Sequence, residues 1–393
     1  MKIVMTGGGS GGHITPILAV AKEIKQQQSD AWIGYIGQRG DVFGEVVAES
    51  NIIDSTYTVQ AGKFRRYHGL GIGQFFDVKT TWLNLRDAFR TVAGIAQAII
   101  LLHRLKPDVV FCKGGFVGVP VGLAAAFLRV PYVTHDSDAI PGLANRIIAR
   151  WATMHAVALE AALYSYDQKK TVSTGVPVHD DYSQASQRPQ KSVRTQLGIE
   201  DYGKVLLITG GGLGAARLNT AVLRHVGELL ERFPDLCIIH NTGQLQESEI
   251  SAAYTKCLTK MQRRQVIVRG FVTNLHEYMA AADVVVARGG ATSFAELALQ
   301  EKPCIIVPNP LLTGGHQLKN ALAYEKKNAI VCVQEADILT DSTVLLDAVT
   351  TLLGDDKKRA KLAGSIRTFA KPNATRDLAN ILLKVATSGS EER

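Results

Sequence analysis

Three groups of residues in this 393-residue chain have the types and spacing to do chemistry. The densest lies within residues 284–320. There an apolar run ends at Arg288-Gly289-Gly290, Ala291-Thr292-Ser293 and Glu296 follow, and a proline-bounded loop leads to His316-Gln317 and then Asn320. The pattern predicts a strand, a glycine turn, a helix and a second strand over 304–307. Backbone N–H groups at a helix start are unpaired and carry partial positive charge, so Ala291, Thr292 and Ser293 can receive a phosphate. Glu296 falls within the first turns of that helix. A carboxylate there can accept hydrogen bonds from a ribose diol, as the acidic residue of dinucleotide sites does. Gln317 and Asn320, three apart at the opening of the next helix, face the same crevice. Ordinary βα connections also use a glycine turn for packing, so the reading of a nucleotide-sugar site rests on the whole combination.

The second group is Thr6 followed by five glycines among the next six residues, with Ser10 the sixth, and then His13. So many glycines let a backbone pass close to a ligand. The spacing matches neither the P-loop nor a dinucleotide fingerprint. A lone histidine is usually structural, but one placed directly after Gly11-Gly12 is poorly placed to be core. Its ordinary pKa lies nearest the working pH of any side chain, which makes His13 the candidate general base. The third group, Asp136-Ser137-Asp138 after His135, supplies the competitors for that role, with Asp138 the alternative to test. Formally it is an Asp-X-Asp triplet, but it lies in the first half of the chain, away from the proposed diphosphate site. Helix dipole and backbone N–H groups are therefore expected to hold the diphosphate without a dedicated metal ligand; no cofactor is expected, and a divalent cation stays open as an alternative without a ligand site of its own.

Elements must position these groups. Apolar runs at 2–5, 32–36, 107–112 and 131–134 alternate with helical patterns, the order of a doubly wound parallel sheet whose ligands bind beyond the carboxyl ends of the strands. Ile14, Ile17, Leu18 and Ala21 mark the buried face of the first helix, with Pro16 in its first turn. Residues 174–202 turn polar and read as an interdomain linker. A second strand, 205–209, then ends in Gly210-Gly211-Gly212-Leu213-Gly214, and strands follow at 236–240, 266–269, 284–286, 304–307 and 330–333. The expected organisation is an α/β chain of two Rossmann-like domains, 1–180 and 203–370. A helix over 371–387, past a break at Pro372, is expected to pack back on the first domain.

The chain is long enough for two separate cores. Its five cysteines are scattered singly and mostly in apolar runs, which reads as reduced thiols without metal spacing. The amino terminus enters a strand directly, so no signal peptide is expected ahead of it. The formal net charge is +8, and residues 62–106 alone hold eight Lys or Arg against two acids. Their longest uncharged apolar run, about 92–102, is short of the roughly 20 residues a spanning helix needs. That segment can lie on an anionic membrane surface without crossing it. The alternative is that Trp82, Leu85, Phe89, Val92 and Ile99 bury a core stripe beneath a solvated basic face. No nucleic-acid module accompanies the basic patch, so no nucleic-acid partner is expected.

The stretches GGGSGGHITPILAVA, HDSDAIPGLANR, RGGATSFAE and HQLKNA resemble the MurG-type glycosyltransferases, and the resemblance spans nearly the whole chain, to about residue 383. It implies GT-B architecture: two doubly wound domains facing a central cleft, with acceptor site and membrane patch in the first and the UDP-sugar in the second. It implies inverting transfer of N-acetylglucosamine from UDP-N-acetylglucosamine to the muramoyl-pentapeptide of a polyprenyl-diphosphate lipid, on the cytoplasmic face of the cell membrane, by a peripheral enzyme. Within that pattern Ser10, Gly11 and Gly12 line the donor sugar, Val272 falls where uracil is held, Ala291 to Ser293 take the pyrophosphate, Glu296 takes the ribose, and Gln317 and Asn320 contact the N-acetylglucosamine. Arg288 belongs to the same donor constellation. Asp138, His179 and Gly212 occupy donor-contact positions at which the chain departs from the family. The usual Glu-Gln-Asn is Asp136-Ser137-Asp138, the Arg after Asn-Pro-Val is His179, and Gly-Gly-Ser-Gln-Gly has lost its hydroxyl. Two alternatives stay open: another GT-B lipid glycosyltransferase, such as a diacylglycerol glucosyltransferase, and a non-catalytic nucleotide-sugar-binding subunit.

Overall fold

The computed structural model describes residues 1–8, 11–40, 43–63, 78–212, 214–310, 315–341 and 343–391. Ser10, Leu213 and residues 64–77 of the basic segment lie outside them. The chain forms two compact units, one of Met1–His179, Leu311–His316 and Lys371–Arg393, the other of Asp180–Pro310 and Gln317–Ala370.

The first unit opens β1 (Lys2–Thr6), α1 (Gly11–Gln27), β2 (Trp32–Gln38), α2 (Phe43–Glu49), β3 (Ser55–Val59), α3 (Val78–Leu105), β4 (Val109–Cys112), α4 (Gly118–Phe127), β5 (Tyr132–Asp136), α5 (Leu143–Ile148), β6 (Met154–Val157) and β7 (Thr171–Ser173). All seven strands are parallel, in the order β3-β2-β1-β4-β5-β6-β7. The all-apolar β4, and β1 with its buried Ile3, Val4 and Met5, can sit at the centre because helices cover both faces. Ile14, Ile17, Ala21 and Ile24 of α1 cover one face, and Ala98, Leu102, Val121 and Ala124 of α3 and α4 cover the other. Because α1 starts at Gly11, Pro16 is its sixth residue, past the first turn that the sequence suggested. There its missing N–H removes the bond to the Gly12 carbonyl.

The second unit continues with α6 (Asp180–Ser186), α7 (Gln190–Leu197), β8 (Lys204–Thr209), α8 (Ala216–Arg232), β9 (Leu236–Asn241), α9 (Glu247–Cys257), β10 (Val266–Arg269), α10 (Leu275–Ala281), β11 (Val284–Ala287), α11 (Ala291–Leu299), β12 (Cys304–Ile306), α12 (His316–Glu325), β13 (Val331–Cys332), α13 (Glu335–Thr340), α14 (Thr343–Gly354) and α15 (Asp356–Arg367). Its six parallel strands run β10-β9-β8-β11-β12-β13. The polar stretch read as a linker holds two helices of this unit, because Tyr182, Ala185 and Val193 are buried within it. The last helix, α16 (Ala374–Glu391), returns to the first unit. Its Leu378, Leu382 and Val385 join the cluster that α1 covers.

Helix α3 bears on the core-stripe reading: of that stripe's five residues, only Ile99 packs against the core. Trp82, Leu85, Phe89 and Val92 are 62, 58, 69 and 65% exposed, so they form an outer stripe and not a core one. The buried stripe is Gly94, Ala98 and Leu102, one turn apart, packed toward α4. Asp87 is 2% exposed and ion-paired to Arg86 and Arg90, which leaves the outer face basic. With 28 residues the helix is longer than its uncharged run suggested. By length and composition Thr80–Leu105 is long and apolar enough to cross a membrane, but its inner face belongs to the packed helical layer of this unit.

Candidate active site

In each sheet the strand order reverses once, between β1 and β4 and between β8 and β11, and open parallel sheets bind ligands outside the carboxyl ends of strands at such a switch point. In the first unit those ends carry the glycine run with His13 and the Lys113-Gly114-Gly115 turn. His13 is the third residue of α1, partly buried, with Nδ1 2.8 Å from the Gly8 carbonyl oxygen. A carbonyl only accepts, so in the neutral ring Nδ1 carries the hydrogen and Nε2 the lone pair. Gly115, at φ +76°, holds the neighbouring turn against this loop. A Cβ there would lie 2.5 Å from the Gly8 oxygen and 3.3 Å from His13 Nδ1, so only glycine fits. Burial, and then the Lys113 ammonium, push the His13 imidazole down to about 4. His13 is thus neutral, with a defined acceptor nitrogen, around neutral pH.

The two competing aspartates differ. Asp136 is buried and occupied: Oδ1 accepts from the Gly142 N–H at 2.9 Å and Oδ2 from the Tyr166 hydroxyl at 2.7 Å. It builds the turn after β5, and burial raises its carboxyl above the usual range. Asp138 keeps a side chain 38% exposed, with Oδ2 3.8 Å from His316 Nδ1. Sequence reasoning missed two residues here. Asn145 Nδ2 donates to the His135 carbonyl at 2.9 Å, and the buried Lys113 Nζ donates to Ser137 Oγ at 2.7 Å. A lysine directly between an all-apolar strand and Gly-Gly was the available signal for the second.

In the second unit the carboxyl ends of β8 and β11 bring the Gly210–Gly214 turn and the Gly289-Gly290 turn to one edge. Gly212 is exposed there, with the Phe271 ring alongside, and Val272 is partly buried in the loop after β10. Gly290 caps α11 with extended backbone and no side-chain bond, so no capping side chain serves the first-turn N–H groups of Ala291, Thr292 and Ser293. Gln317 and Asn320 brace that turn. Gln317 Oε1 accepts from the Asn309 N–H at 2.8 Å, and Asn320 Nδ2 donates to the Gly289 carbonyl at 3.3 Å. A Cβ on Gly289 would meet the Gln317 carbonyl at 2.7 Å. Glu296 lies in the second turn of α11, hydrogen-bonded by the Tyr182 hydroxyl, and burial raises its carboxyl to about 8. Tyr182 is a residue the sequence did not single out. Its carbonyl accepts from Gln300 Nε2 at 3.1 Å, and its ring meets His276 edge-on.

Arg288 has a different setting from the one expected. Its Nη2 lies 2.6 Å from Glu335 Oε1 and its Nη1 donates to the Val307 carbonyl at 3.1 Å. The buried Glu335 also pairs with Arg217 Nη1 at 2.8 Å. Arg288 therefore braces the end of β11, while the more exposed Arg217 stands at the start of α8, just past the polyglycine turn. His179 is exposed and ends the first segment of its unit.

The glycosyltransferase family 28 N-terminal domain matches residues 3–157 and the family's C-terminal domain residues 205–378. A Bacillus licheniformis protein named UDP-N-acetylglucosamine–N-acetylmuramyl-(pentapeptide) pyrophosphoryl-undecaprenol N-acetylglucosamine transferase is 32% identical, over 97% of this chain and 98% of its own. Acinetobacter baumannii MurG has a TM-score of 0.71 at 23% identity, covering 98% of this chain and 99% of that one. A UDP-GlcNAc 2-epimerase from Neisseria meningitidis, solved with UDP-GlcNAc, has a TM-score of 0.64 at 15% identity over 98 and 100%. At those identities the structural likenesses establish the fold alone, and it is the two-domain GT-B fold. With the full-length match to the Bacillus licheniformis protein beside both domain matches, the chain belongs to glycosyltransferase family 28, as a MurG-type glycosyltransferase.

Proposed function

We infer that the chain catalyses inverting transfer of N-acetylglucosamine from UDP-N-acetylglucosamine to the muramoyl-pentapeptide of a polyprenyl-diphosphate lipid, the lipid I to lipid II step of peptidoglycan synthesis. The observation that carries this reading is the second unit's switch point, where an uncapped helix start and a half-buried carboxylate stand one turn apart. Ala291, Thr292 and Ser293 meet the diphosphate with their N–H groups, where the helix dipole stabilises the charge that develops as UDP leaves. Glu296 takes the ribose diol, Val272 lies beside the uracil, and Gln317 and Asn320 orient the sugar. Gly11, Gly12, Asp138, His179 and Gly212 complete the donor contacts. His13 Nε2 removes the proton from the acceptor hydroxyl, whose oxygen attacks the anomeric carbon from the face opposite UDP. The bond pair leaves with the diphosphate, and the configuration inverts. UDP release, assayed with several nucleotide sugars and with lipid acceptors, tests this. Turnover on diacylglycerol in place of the muramoyl lipid would reassign the acceptor, and UDP-sugar binding without turnover on any acceptor would make the chain a binding subunit.

The acceptor's prenyl chain lies in a bilayer, so the enzyme must work at its surface, and we place it peripherally at the cytoplasmic face. Support comes from the outer stripe of α3, flanked by Arg86 and Arg90. Phe127 of α4, Ile147 of α5 and Trp151 are further exposed apolar side chains on the neighbouring helical layer. Apolar side chains exposed beside basic ones suit anionic headgroups. Sedimentation with anionic and neutral vesicles tests it, and equal binding to both would remove the electrostatic part.

A further inference from the structure

Among groups that the reaction above leaves unused, Lys113 stands out. It directly follows β4 at the switch point, is 2% exposed, and among the described residues is the only buried lysine. An ammonium is costly to desolvate, and burial lowers this one to about 8 even though Asp138 and then Asp136 oppose the fall. A lysine needed only for packing would be cheaper as methionine. This one is fixed instead by the bond from Nζ to Ser137 Oγ, the middle residue of the Asp136-Ser137-Asp138 triplet. Its Cβ lies beside Gly7, 3.3 Å from where a Cβ there would be, and a Cβ added to the next residue, Gly114, would lie 3.8 Å from His13 Nε2.

We propose that Lys113 is a positioning residue for the transfer reaction: its buried ammonium, anchored on Ser137 between the triplet and the His13 loop, holds that turn and repels a proton from the base. The other ionisable groups that act on His13 are Asp138, which opposes this repulsion, and His316, which adds to it; the buried His135 in turn feels both His13 and Lys113. Below about pH 8 Lys113 is charged, so its repulsion operates throughout the range in which His13 would otherwise begin to protonate. The triplet's second aspartate and this lysine thus form one electrostatic unit, and the departure at Asp138 is matched by a cation from β4.

The inference rests on His13 being the base, so its test separates the two. The His13 imidazole is titrated by nitrogen NMR in full-length wild type, Lys113→Met and Lys113→Arg, and kcat is measured against pH on the same proteins, with UDP-N-acetylglucosamine affinity as the check on the second unit. In Lys113→Met the His13 titration and the acid limb of kcat should both move up by about one pH unit, with donor affinity unchanged, and Lys113→Arg should restore both toward wild type. An unmoved His13 titration, with kcat lowered equally at every pH, would overturn the proposal and leave Lys113 a packing residue. A moved titration with an unmoved acid limb would uphold the electrostatic role and reject His13 as the base.

Discussion

Donor binding should depend on pH through Glu296, and the structure sets the direction. Burial holds this carboxyl protonated up to about pH 8 when no donor is bound, and the Tyr182 hydroxyl is its hydrogen-bond partner. A ribose diol donates two hydrogen bonds to a carboxylate, so binding selects the ionised form. At about pH 7, one unit below the midpoint, ionising it costs about 1.4 kcal/mol, and the cost vanishes above pH 8. Affinity for UDP-N-acetylglucosamine, whose diphosphate is esterified at both ends and does not titrate in this range, should therefore rise by roughly fiftyfold to a hundredfold from about pH 6 to 8.5. Calorimetry in buffers of different ionisation enthalpy should show about one proton released per donor bound near pH 7. Glu296→Gln should bind more weakly at the plateau, by the 1.5–3 kcal/mol of a charge-assisted hydrogen bond, about ten- to a hundredfold, and should lose the pH dependence. A pH-independent affinity in the wild type, or the same dependence in Glu296→Gln, would refute the ribose assignment.

His13→Ala should lower turnover by roughly a hundred- to ten-thousand-fold while leaving donor affinity nearly intact, and loss of affinity with retained turnover would make His13 a sugar-positioning residue and turn attention to Asp138→Ala. Thermal stability gives an independent reading of Glu296. Its folded pKa lies above the ordinary 4.5, so the native state holds a proton that the unfolded chain has released, and this contribution to stability is lost as pH rises from about 4.5 to 8. Glu296→Gln should accordingly melt higher relative to wild type at pH 8.5 than at pH 5, and parallel melting curves at both would contradict the shift. Glu335→Ala strands Arg288 in a buried site and should cost about 3–5 kcal/mol, read as a fall in the denaturation midpoint; a cost under about 1 kcal/mol would show that Arg288 reaches solvent. Replacing Trp82 and Phe89 by serine should cut vesicle binding with no loss of stability, since both side chains are exposed.

The doubly wound plan was legible because central parallel strands are continuous apolar runs punctuated by glycine. Thus 2–5, 107–112, 205–209 and 284–286 announced β1, β4, β8 and β11, the four strands that flank the two switch points. The peripheral strands β3, β6 and β7 were not, since Ser55–Val59, Met154–Val157 and Thr171–Ser173 are short and mix polar with apolar residues. Periodicity found the stripe on α3 but could not orient it. Trp82, Leu85, Phe89 and Val92 repeat with the same period whether they face core or solvent, and only the packing of Gly94, Ala98 and Leu102 beside them decides. The glycine turns, His13 and Glu296 could be read locally because each lies within a few residues of the turn that positions it. The partners that set their chemistry could not. Tyr182 comes from a helix hidden in a polar run, and the Lys113 charge acts on His13 only because β4 lies beside β1, after the whole of β2 and β3. A sequence shows which side chain could be a base or a ribose acceptor; its protonation state is set first by burial and then by the neighbours, Lys113 and Tyr182, that the fold brings to it.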